Sequence, residues 1–84
     1  MKKLQHLRSK IDKIDDEISW LLDKRAGVAK EISNLKKRLN LPIEYPERES
    51  EILERLAGEK FSNIHVESIQ KIFSVIIDEI KTIQ

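Results

Sequence analysis

Six polar residues stand where an otherwise apolar pattern leaves room for chemistry: Arg8, Arg25, Lys36, Arg48, Glu49 and Gln84. Arg25 is the clearest. Apolar residues recur every three or four positions through Leu4, Leu7, Ile11, Ile14, Ile18 and Leu21, then through Val28, Ile32, Leu35 and Leu39. The position this pattern demands in between holds an arginine. Lys36 lies 11 residues further on, three helical turns plus about 20°, which puts it on Arg25's face about 16 Å away. Two long cations leaning toward each other can grip both ends of a small dianion. Arg8, beside Leu7, repeats the motif 17 residues or about 25 Å from Arg25, too far to serve the same small ligand within one chain. An antiparallel pairing of two such helices brings it to the other subunit's site.

The remaining candidates belong to two further elements. Arg48 and Glu49 precede Ile52 and Leu53 by one turn and extend that apolar face at its N-terminal end. Gln84 follows Ile80 by four positions and closes a third stripe with an amide. Each residue also has a structural account. Arg25 can set register by pairing with a buried acid such as Asp15 or Glu49. Lys36, with Lys37 and Arg38, can complement a helix C-terminus, and Glu49 can complement an N-terminus. Gln84 can simply fray, and His6 and His65 are isolated surface residues. Trp20 sits among Asp16, Glu17, Lys24 and Gly27, so it is either covered by another segment of a dimer or marks a docking surface. No nucleophile–base pair, Gly-rich phosphate loop or metal-ligating cluster is present in the sequence.

Three helices must position these residues. The 3-4 spacing predicts a helix over about 3–39, a rod of roughly 50 Å. The segment "NLPIEYP" stops it, and Pro46 suits the first position of a second helix over about 46–57, with Glu47, Glu49 and Glu51 near its positive end. Val66, Ile69, Phe73, Ile76, Ile80 and Ile83 predict a third helix over about 65–84; the residue types suggest a strand, but the period is helical. Five sustained heptads on one long helix are poorly covered by two shorter helices, so the expectation is an all-α homodimer with the long helices packed together.

Composition narrows the function. The chain has 84 residues, 16 basic against 15 acidic, interleaved to a net charge of +1. That length suits a single domain with a small core of its own, and the charge pattern carries no footprint for nucleic acid or an anionic membrane. With no cysteine, disulfides and thiolate zinc sites are excluded. The sequence contains neither a membrane span nor a signal-peptide core, and a soluble cytoplasmic protein is expected.

The strings "LRSKIDKIDDEISWLLDKR", "PIEYPERE" and "IFSVIIDEIKTIQ", together with Lys36, resemble the all-helical class of chorismate mutases. The resemblance runs from about Leu7 to Gln84 and lies in the joint spacing of polar positions across three helices. It implies an intertwined homodimer of three-helix chains that rearranges chorismate to prephenate in phenylalanine and tyrosine biosynthesis, with no cofactor and no metal. It further implies that Arg8, reaching in from the partner subunit, and Arg25 bind the substrate carboxylates. By the same resemblance Lys36 contacts a carboxylate and the ether oxygen, Gln84 contacts that oxygen, Glu49 receives the ring hydroxyl and Arg48 lines the pocket. Family members often carry Asp where this chain has Tyr45 and a small hydroxyl residue at Ile80. An isochorismate-pyruvate lyase on the same scaffold is the nearest alternative, disfavoured by Glu49 after Arg48, where those lyases tend to be apolar. A non-catalytic helical dimerisation or regulatory module is another. Association with a further enzyme of aromatic biosynthesis is left open.

Overall fold

In a computed structural model that describes residues 1–43 and 46–83, the chain is three α-helices: α1 (Lys2–Arg38), α2 (Pro46–Ala57) and α3 (Val66–Lys81). Local chemistry sets each end. The basic last turn of α1, Lys36 to Arg38, meets the negative end of the helix dipole. Asn40 then adopts φ 56°, a left-handed conformation that a short polar side chain tolerates. The Leu41 amide donates to the Lys36 carbonyl at 2.8 Å and the Asn40 amide to Lys37 at 3.3 Å, so the exposed carbonyls of the last turn are satisfied as the chain reverses. Pro46 opens α2, and Glu47 and Glu49 occupy its first turn. α3 ends at Lys81, short of the expected 84, in a turn where the Thr82 hydroxyl and amide both donate to the Glu79 carbonyl.

α2 and α3 pack along each other, antiparallel, while α1 is met chiefly by α3. Ile52, Ile77 and Ile80 are buried between the helices, and the Gln70 side-chain amide donates to the Leu53 carbonyl at 3.3 Å across the α2–α3 seam. The buried line of α3 passes through Ile77 as well as Ile80, one position round from the expected Ile76–Ile83 edge, and Ile83 is left exposed. On α1 no residue before Leu22 is shielded. Beyond that point the face turned toward its own chain is Leu22, Arg25, Ala26, Ala29, Ser33 and Lys36, of which the small Ala26, Ala29 and Ser33 let α3 approach. The apolar stripe itself is left bare: Ile11 is 57% exposed, and Leu7, Ile14, Ile18, Ile32 and Leu35 are each about half exposed.

The dimensions express the same imbalance. The molecule measures 58 × 24 × 16 Å with a radius of gyration of 16.4 Å, against about 12 Å for a compact chain of this length. It exposes 7309 Å² of surface, where a compact monomer of 9.9 kDa exposes about 5,200 Å². The excess, about 2,100 Å², is of the size that a permanent interface removes from water.

Candidate active site

The second half of α1, the first turn of α2 and the last turn of α3 line a half-open cavity of about 270 Å³. Its floor and walls are apolar, formed by Val28, Ala29 and Ile32 of α1, Ile52 of α2 and Ile77 and Ile80 of α3, with Ile43 at the rim. Arg25, Lys36, Arg48, Glu49 and Lys81 also line it, Arg48 with its side chain largely exposed. The first four are among the six residues singled out by spacing, and helix geometry explains their convergence. Arg25 and Lys36 share a face of α1, while Arg48 and Glu49 lie one turn before Ile52 and Leu53, which face the other helices.

The polar groups are tied to the scaffold in different ways. The Lys36 ammonium donates to the Ile43 carbonyl at 3.1 Å, which links the end of α1 to the connection that follows. Arg48 faces solvent and reaches Glu51 at 3.4 Å, an exposed pair that contributes about 1 kcal/mol or less. Glu49 is two-thirds shielded and its carboxylate is ion-paired with the Lys81 ammonium across the α2–α3 seam. Lys81 also lies 3.9 Å from Asp78, one turn earlier on α3 and largely exposed. Among the described residues lining the cavity, four cations face one carboxylate.

Lys81 is the polar residue that spacing did not single out. The signal was present, since Lys81 follows Ile77 by four positions and so shares its face of α3. Arg8 is exposed near the far end of α1, away from this cavity. Gln84 and Tyr45 lie outside the described residues. Ile80 is buried in the cavity wall, so the position where a hydroxyl is common presents only hydrocarbon here. Trp20 is 70% exposed on the outer side of α1.

Among the described residues no group of histidine, cysteine, aspartate or glutamate is placed to hold a metal ion, and no helix is long and apolar enough to cross a membrane. Cations around an apolar cavity, with one carboxylate acceptor, can bind and orient a small, multiply charged anion. The comparisons with known proteins point to one family. A family model for chorismate mutase type II matches residues 7–84. The chorismate mutase of Methanocaldococcus jannaschii is 36% identical over 85 residues, covering all of this chain and 86% of that protein. A bifunctional chorismate mutase/prephenate dehydratase of Aquifex aeolicus is 52% identical over 56 residues, which are 67% of this chain and 16% of that longer protein. The crystal structure of Helicobacter pylori chorismate mutase in complex with prephenate superposes with a TM-score of 0.88 at 34% identity, covering 98% of this chain and 89% of that one. The chain belongs to the type II chorismate mutase family.

Proposed function

We propose that the protein converts chorismate to prephenate in the cavity between its helices, working as a homodimer in which each site is completed by Arg8 of the partner subunit. The observation that carries the reading is the convergence of Arg25, Lys36, Arg48 and Glu49 on one apolar cavity, in a chain whose family performs this isomerisation. The reaction is an intramolecular pericyclic rearrangement. One carbon–oxygen bond breaks as one carbon–carbon bond forms, so no nucleophile, proton transfer or cofactor is required. The protein has two tasks: to hold a flexible dianion in a compact chair, and to stabilise the negative charge that grows on the ether oxygen.

Both tasks fit the residues. Arg25, and Arg8 from the partner subunit, pair with the two carboxylates and set the distance between the reacting carbons. Lys36 stands at the end of α1, held by the Ile43 carbonyl, and directs its ammonium to the ether oxygen. Gln84 donates to the same atom. A preorganised donor of this kind is worth about 3–4 kcal/mol of barrier in a site shielded from water. Glu49 accepts the ring hydroxyl and thereby fixes the ring in register. The dimer reading is supported by the bare stripe of α1, about 2,100 Å² of surface in excess of a compact monomer, and by the remoteness of Arg8 from its own cavity. Helical dimers of this kind are soluble, and the cytoplasm is the compartment we assign.

Calorimetric titration with a bicyclic dicarboxylate mimic of the transition state tests the reading. Tight binding at one site per chain, abolished in Arg25→Ala, is the expected result. A dimer that takes up no such ligand would instead be a helical dimerisation module whose stripe cations are structural.

A further inference from the structure

We propose that Lys81 is a positioning residue that neutralises Glu49, so that this carboxylate neither repels the incoming dianion nor competes with it for Arg25 and Lys36. This rests on the reading of the cavity as the chorismate site. A carboxylate in the wall of a dianion site creates two difficulties. It repels the ligand's carboxylates, and it competes with them for the cations meant to receive them. Glu49 lines the same cavity as Arg25 and Lys36 and is adjacent in sequence to Arg48, so either difficulty is open to it.

The structure resolves both through α3. Lys81 meets the Glu49 carboxylate across the helix seam, and both side chains are about two-thirds shielded, at 35% and 32% exposure. Two further pairs among the described residues, Arg48–Glu51 and Lys81–Asp78, stay within one helix and involve exposed acids. Arg48 pairs with Glu51 within α2, while Glu49 pairs with Lys81 across the seam. Each partner also sits at the helix end its charge favours, Glu49 in the first turn of α2 and Lys81 in the last turn of α3. A carboxylate with one oxygen on an ammonium still has lone pairs to accept a hydroxyl. Glu49 thus keeps its role as an acceptor while its net charge is cancelled.

The test is a kinetic double-mutant cycle with chorismate on the full chain: wild type, Lys81→Met, Glu49→Gln and the double variant, with Lys81→Arg beside them. Lys81→Met uncovers the Glu49 charge, so KM should rise about tenfold or more while kcat falls less. Glu49→Gln removes that charge, so the double variant should have a KM at least threefold lower than that of Lys81→Met alone. Lys81→Arg should retain a KM near that of the wild type. A Lys81 that bound substrate directly would give KM effects that multiply, and one that served only to join the helices would leave the double variant no better than Lys81→Met alone; in either case Glu49→Gln brings no relief. That outcome, or a kinetically silent Lys81→Met, overturns the proposal. If Lys81→Met does not fold, Lys81→Gln with and without Glu49→Gln takes its place and is judged in the same way. A wild-type protein inert toward chorismate refutes the function itself and this role with it, whereas an active wild type whose Lys81→Met defect Glu49→Gln does not relieve refutes only the role of Lys81.

Discussion

Arg8 and Arg25 occupy one uninterrupted helix, Lys2–Arg38, and this makes a complementation experiment decisive. Seventeen residues at 1.5 Å separate their α-carbons by about 25 Å along the axis, longer than any small dicarboxylate. Both can therefore serve one ligand only if they come from different chains. Truncating a guanidinium that pairs with a shielded carboxylate costs about 2–5 kcal/mol, or roughly 30- to several-thousand-fold in kcat/KM. Arg8→Ala and Arg25→Ala should each be close to inactive as homodimers. When equal amounts are unfolded and refolded together, random pairing makes about half the dimers hybrids. Each hybrid has one site with Arg25 from the first chain and Arg8 from the second, which is intact, and one site lacking both. About a quarter of wild-type activity per total protein should return, read as the rate of chorismate loss by absorbance. Hybrids confirmed by native mass spectrometry with no recovered activity would show that Arg8 acts within its own chain or has no part in the site.

Further predictions concern single residues. Lys36→Ala should lower kcat by about 10²–10³-fold or more, because it deletes the donor aimed at the ether oxygen, while the lost bond to the Ile43 carbonyl should cost only about 1 kcal/mol in thermal unfolding; near-normal turnover would refute the assignment. Glu49→Gln, which still accepts a hydrogen bond, should be milder than Glu49→Ala by about tenfold in kcat/KM, and equal, negligible effects would return Glu49 to the role of a helix-start acid. Ser33 is only 2% exposed and its hydroxyl finds no partner among the described residues. Ser33→Ala should therefore be neutral or stabilising by up to about 1 kcal/mol in chemical denaturation, and a clear loss of stability would reveal a partner for that hydroxyl.

The three helices were legible because their signals are local. A 3-4 apolar period, Pro46 at a helix start and a charged last turn before Asn40 each act within a few residues. Arg25, Lys36, Arg48 and Glu49 were legible for a related reason: each interrupts or extends an apolar face, and a face is readable from spacing. Lys81 was not found, because a lysine in a last turn has an adequate local explanation in the helix dipole, and its pairing with Glu49 depends on how α2 and α3 are docked. The buried line of α3 through Ile77 was misplaced for the same reason. Val66, Ile69, Phe73, Ile76, Ile77 and Ile80 offer a broad apolar arc, and only the neighbouring helix decides which part of it is covered. The face of α1 toward its own chain was obscured by the larger stripe beside it. Ala26, Ala29 and Ser33 are small residues, and their value lies in letting α3 approach rather than in a hydrophobic signal.

The central claim is that this cavity rearranges chorismate rather than cleaving a related substrate or merely joining two chains. The most direct test is to incubate the wild-type protein, and Lys36→Ala beside it, with chorismate and identify the product by proton NMR. Prephenate as the sole enzymatic product, formed by the wild type and lost in the Lys36 variant, is the predicted result. Unchanged chorismate, pyruvate release, or prephenate formed equally fast by the Lys36→Ala protein would contradict it.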